Sequence, residues 1–84
     1  MHMTDKILKF SASWCGPCKS LAMTLKDEDL GVPVEDVDID TNSGLAVQYA
    51  IRSVPTLVLV KDGKEVSRMT GAQTLDAVRK WASA

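Results

Sequence analysis

The chain contains only two cysteines, three positions apart in Trp14-Cys15-Gly16-Pro17-Cys18, and this spacing constrains the fold more than any other feature. Cysteines so placed can close a disulfide across the first turn of a helix and reopen it. The stabilisation from a cross-link grows with the loop it closes, so this short loop is poorly placed to serve stability alone. A secreted domain of 84 residues that relied on staples would carry more cysteines, at wider spacing. The pattern points to thiol–disulfide exchange in a reducing compartment, the cytoplasm.

The surrounding sequence supplies the strand and helix that such a motif needs. Ile7-Leu8-Lys9-Phe10-Ser11-Ala12 alternates with the period of a strand, with Ile7, Lys9 and Ser11 on one face and Leu8 and Phe10 on the other. From Cys15 the period becomes helical through Cys18, Leu21, Ala22 and Leu25. Pro17 suits the first turn of that helix, where a missing N–H costs nothing, and Gly31 followed by Pro33 marks where it has ended. Val34 to Ile39 reads as a second strand, with Val37 and Ile39 facing one way and Val34, Asp36 and Asp38 the other.

Asp40-Thr41-Asn42-Ser43-Gly44 offers caps for a short helix through Leu45, Ala46 and Tyr49. Thr56 to Val60, β-branched and apolar, suits a central strand covered on both faces. Asp62-Gly63 is a hairpin signal. In the return strand, Lys64 to Thr70, Val66 and Arg68 alternate with Glu65 and Ser67, a pattern polar enough for an edge. Thr74 then caps a last helix with an apolar stripe of Leu75, Val78 and Trp81 or Ala82. The predicted order is βαβαββα, an α/β four-stranded mixed sheet with helices on both faces. Strand–helix alternation up to the hairpin predicts parallel pairing with right-handed crossovers, the hairpin adding an antiparallel edge.

Composition narrows the function. A net charge of −1, with ten basic residues dispersed among eleven acidic ones, creates no field for nucleic acid or an anionic membrane. The longest apolar run, Val54 to Val60, falls far short of the roughly 20 residues a bilayer span requires. No signal peptide is expected, since Met1 to Lys9 lacks the apolar stretch. Residues 1–84 are expected to form a single domain and a monomer, with 1–5 a flexible or expression-derived start, which leaves His2 without a role.

Phe10-Ser-Ala-Ser-Trp-Cys-Gly-Pro-Cys-Lys19, Asp38-Ile-Asp40, Ile51-Arg-Ser-Val-Pro-Thr56, Lys61-Asp-Gly63 and Gly71-Ala72 together resemble the thioredoxin family, in the same order and at compatible spacings. The likeness covers nearly the whole chain. It implies a thioredoxin-like fold in a minimal, glutaredoxin-sized form, because thioredoxins normally begin with an additional strand and helix. Met23 stands where the family commonly has a helix-kinking proline, and Ser11 where it commonly has a second tryptophan.

The resemblance also implies a chemistry. Cys15, at the helix N-terminus, is the expected nucleophile, because unsatisfied N–H groups and partial positive charge there favour the thiolate. Cys18, one turn on and buried, is the expected resolving thiol. The bond before Pro55 is expected to be cis and to lie against the cysteines, with the Val54 backbone pairing with a substrate segment as an added strand. Trp14, Gly16, Pro17, Ser53, Gly71 and Ala72 would complete a docking surface. Lys9 occupies the position where thioredoxins usually bury an aspartate, and Asp36 falls where they carry its lysine partner. An inverted, partly buried Lys9–Asp36 pair that handles the resolving proton is therefore expected. Implied partners are disulfide-containing proteins and a thioredoxin reductase or similar electron donor, with no cofactor.

Other readings are weaker. Two cysteines and His2 do not supply the four ligands of a zinc site within one chain. Tyr49 and Trp81 read as core, and Asp36, Asp38, Asp40, Glu28 and Asp29 as solvated surface. The alternatives of other classes are a thioredoxin-like binding module without redox turnover and a glutaredoxin-like electron donor.

Overall fold

The computed structural model describes residues 5–83, and the Met1-His2-Met3 start lies outside them. Its elements are β1 (Lys6–Ser11), α1 (Gly16–Leu25), β2 (Val34–Asp38), α2 (Ser43–Gln48), β3 (Thr56–Lys61), β4 (Lys64–Thr70) and α3 (Leu75–Ser83). This is the predicted βαβαββα order. The strands form one mixed sheet in the order β2-β1-β3-β4.

Strand alternation divides the core into two layers. On one face Ile7, Leu57 and Leu59 pack with Leu21 of α1 and with Val78 and Ala82 of α3. On the other, Leu8, Phe10, Val37, Val58 and Val60 pack with Leu45 of α2 and with Tyr49. The Phe10 and Tyr49 ring centroids are 5.9 Å apart. Thr56 to Val60 are all buried, as befits an interior strand whose two faces both meet helices. At α3, Thr74 caps as predicted, its Oγ1 accepting the Ala77 N–H at 3.1 Å.

The strand directions correct the sequence expectation. β2 is parallel to β1, but β3 is antiparallel to it. The physical reason is the length of α2. Its six residues rise about 9 Å, whereas a return along a strand of this sheet needs about 20 Å. Ala50, at φ 52°, closes α2, with the Ala50 and Ile51 N–H groups donating to Val47 and Ala46. The chain therefore enters β3 from the end of the sheet where β2 left it. Thr56 consequently pairs with Phe10, which brings the segment before it to the cysteine motif.

The predicted hairpin turn is present, with Asp62 and Gly63 both at positive φ, 56° and 81°. Beyond it, regular alternation in β4 breaks. Leu59 pairs with Ser67 and Val60 with Glu65, so Val66 is an extra, bulged residue. The bulge puts Glu65 and Arg68 on the same side, contrary to the predicted alternation. Arg68 Nε and Nη2 donate to the two Glu65 oxygens at 2.6 and 2.8 Å, and Nη2 also reaches the Tyr49 carbonyl at 2.8 Å.

These hydrogen bonds from Arg68 hold the Glu65 carboxyl below its ordinary value of 4.5, outweighing the opposing effect of burial. A carboxyl lowered in the folded state contributes stability above its unfolded pKa, and that contribution is lost as pH falls through the folded value. Glu65→Gln is thus expected to show a smaller drop in melting temperature than the parent between about pH 6 and about pH 3. The pair is exposed, so the difference should be modest and shrink in high salt. Equal acid sensitivity at low salt would contradict this assignment.

Candidate active site

After β1 the chain turns through Ala12, Ser13 and Trp14, the Cys15 N–H donating to the Ala12 carbonyl at 3.2 Å. Cys15 then caps α1 with an extended backbone, and its Sγ accepts the Cys18 N–H at 3.1 Å. A sulfur here occupies the place usually taken by a serine or aspartate oxygen, so the helix end stabilises negative charge on it. Pro17 lies in the first turn, where its missing N–H has no helical partner to lose. Cys15 and Cys18 are joined by a disulfide, their Cα atoms 5.2 Å apart.

Cys18 is buried as predicted, but Cys15 is equally so, each 5% exposed. Burial therefore does not distinguish the two sulfurs. Position does, since Cys15 stands at the helix tip while Cys18 lies one turn inside it.

The Val54–Pro55 peptide bond is cis, and the Val54 carbonyl oxygen lies 3.7 Å from Cys15 Sγ. Gly71, at φ 87°, donates its N–H to the Pro55 carbonyl at 2.9 Å, and Thr56 Oγ1 donates to the Ser53 carbonyl at 2.8 Å. The left-handed backbone at Gly71 favours glycine, which explains that residue at the end of β4. The Trp14 side chain is exposed, but its indole Nε1–H donates to Asp40 Oδ2 at 2.9 Å. Beside it a cleft of about 280 Å³ is lined by Trp14, Ile39, Ile51, Arg52, Ser53 and Val54. Gly16, Pro17 and Ala72 are exposed around this region.

Asp40, Ile51 and Arg52 belong to this region although no sequence pattern marks them as site residues. The only signal for them was membership in the segments that carry the resemblance. Asp40 meets Trp14 because parallel β1 and β2 deliver their C-terminal ends side by side. Beneath α1, Lys9 and Asp36 are directly paired in register, with Lys9 Nζ 2.9 Å from Asp36 Oδ1. The Lys9 side chain is 14% exposed and that of Asp36 is 73% exposed, so only the lysine is largely shielded from water. Asp36 reaches water at the sheet edge and has no need of its partner for solvation. Among the described residues no group of three or more His, Cys, Asp or Glu is arranged to hold a metal.

A reversible disulfide on the first turn of a helix, facing a cis-proline loop in a βαβαββα sheet, defines a thiol–disulfide oxidoreductase with disulfide-reductase chemistry. The sequence profile of the thioredoxin family matches residues 2–84, and the chain belongs to that family. It is 42% identical over 80 residues to a thioredoxin of Chlamydia trachomatis, covering 92% of this chain and 78% of that protein. Among solved structures, a mutant thioredoxin from Halobacterium salinarum superposes with a TM-score of 0.87 at 36% identity, over 95% of this chain and 73% of the other. The thioredoxin of Fasciola hepatica gives 0.83, also at 36% identity, over 94% and 78%.

Proposed function

We propose that this protein reduces protein disulfides, with Cys15 as the attacking thiolate and Cys18 as the resolving thiol. The observation that carries this reading is the position of Cys15 Sγ, which caps α1 and faces the Val54 carbonyl across the cis Pro55 loop. A substrate segment pairs with the extended Val54 backbone, and Trp14, Gly16, Pro17, Ser53, Gly71 and Ala72 form the surface around it. The apolar cleft beside Trp14 supports this docking mode. Lys9, tethered to Asp36, supplies a fixed charge beneath the motif and a share in proton handling.

In this reading the working unit is residues 1–84 as one domain and a monomer. A thioredoxin reductase or a comparable electron donor recharges it, and its substrates are disulfide-containing proteins of the cytoplasm. No helix among the described residues is long and apolar enough to cross a membrane.

The test is reduction of insulin disulfides with a dithiol or a reductase as electron source, alongside a variant with Cys18→Ser. The parent should accelerate reduction, and the Cys18→Ser protein should accumulate as a mixed disulfide through Cys15. Catalysis that is absent in the parent, or biological activity that survives replacement of both cysteines by serine, would favour a binding module instead.

A further inference from the structure

We propose that Asp38 is the group that takes the proton from Cys18 when this thiol resolves the mixed disulfide. The inference rests on the assignment of Cys18 as resolving thiol and adds the acceptor.

Lys9 and Ser11 lie on the sheet face covered by α1, and their register partners on β2 are Asp36 and Asp38. The two carboxylates therefore form successive rungs beneath the helix. Of the two carboxylates, only Asp38 shares a cleft with Cys18. A cleft of about 200 Å³ is lined by Cys18, Lys19, Lys9, Ser11 and Asp38, and Asp36 is not part of its wall. Asp36 instead lines a separate groove of about 580 Å³ between α1 and β2, which neither cysteine reaches.

The surroundings of Asp38 suit a proton acceptor. It is half-buried, and its Oδ1 is fixed by the Asp40 N–H at 2.8 Å. Its carbonyl accepts from Thr41 and Asn42 at 3.2 and 2.9 Å, which holds the backbone as well. Among the described residues no side chain donates to Oδ2, so that oxygen is free to accept. The cleft is large enough for water to bridge the carboxylate and the sulfur. Besides Asp38, the charged groups lining this space are Lys9 from β1 and Lys19 from α1; Asp36, one rung away on β2 and outside the wall, is paired with Lys9, and the Asp40 carboxylate is turned to Trp14. Lys9 and Lys19 bring positive charge to the wall that Cys18 shares, where negative charge develops on the sulfur as it attacks.

Cys15 Sγ is bound to a substrate sulfur in the mixed disulfide. The Cys18 S–H proton passes through water to Asp38, and the Cys18 thiolate attacks Cys15 Sγ. The Cys15–Cys18 bond forms, the Cys15–substrate bond breaks, and the substrate sulfur leaves with the electron pair. The protein dithiol is oxidised, the substrate disulfide is reduced, and Asp38 returns its proton to the leaving thiolate or to solvent.

Stopped-flow mixing of the reduced protein with an aromatic disulfide that releases a coloured thiolate reads both steps, as a bimolecular first phase and a unimolecular second phase. For Asp38→Asn, which retains the oxygen that accepts from Asp40, the second phase should slow about tenfold or more near pH 6.5. It should converge with the parent as the pH is raised, where hydroxide takes the thiol proton without help from a carboxylate. Asp38→Glu should recover most of the rate. A fall of equal size at every pH, or affecting both phases alike, would indicate a structural role and overturn the proposal. So would a parent-like second phase in Asp38→Asn, above all if Asp36→Asn carried the pH-dependent loss instead. A parent with no second phase would refute the Cys18 assignment itself, which keeps the two failures distinct.

Discussion

Replacing Cys15 by serine is expected to abolish disulfide reduction, with a loss of at least about four orders of magnitude and no loss of fold. The reacting group is a thiolate, and a serine hydroxyl neither ionises near neutral pH nor forms a disulfide. Removing it also leaves Cys18 without an intramolecular partner. The second exchange then loses the effective concentration of two groups one turn apart, which in well-oriented pairs reaches about 10⁵ M or more. Serine can still accept the Cys18 N–H at the cap of α1, so the helix start should survive. The check is an insulin reduction rate beside a circular dichroism spectrum of the same sample. Appreciable catalysis from folded Cys15→Ser protein would assign attack to Cys18. The contrast with Cys18→Ser is informative, because that protein keeps the first step and stalls on the adduct.

The second large effect is on stability. Phe10→Ala should cost about 3–5 kcal/mol. The ring is fully buried, packs in the layer with Leu8, Val37, Val58 and Val60, and meets the Tyr49 ring at an interplanar tilt of 55° on the sheet's α2 side. For a domain of 84 residues the total stability expected is only about 4–13 kcal/mol. The variant should therefore sit near or past its folding threshold at room temperature, as read by urea unfolding. Met23→Ala, whose side chain is mostly exposed on α1, is the matched control and should shift stability by no more than about 0.5 kcal/mol. A Phe10→Ala cost close to that of Met23→Ala would mean that the layer beneath α2 contributes little to holding the sheet together.

These two residues also show what the sequence could reveal. Cys15, Cys18 and Phe10 were legible because each is set by local pattern, a spacing of three or a strand alternation. Pro55 was legible through its segment, and the Asp62-Gly63 turn through its backbone requirement. The direction of β3 was not, because it depends on how far six residues of α2 can carry the chain, and no local period reports that. The bulge at Val66 was hidden for a similar reason, since pairing across strands creates it and the sequence of β4 alone does not. The Trp14–Asp40 bond and the cleft joining Cys18 to Asp38 join residues distant in sequence, and became visible only once β1 and β2 were in register.

The reversed entry into β3 gives the molecule a polarity. The ends of β1, β2 and β4 and the start of β3 all converge on the disulfide, while the Lys61–Lys64 hairpin lies at the opposite end of the sheet, about 20 Å away along the strands. A tether or inserted peptide at Asp62-Gly63 would leave the redox end facing outward. The protein is thus suited to attachment on a bead or electrode through its inert pole, with the cysteine pair presented to whatever approaches from solution.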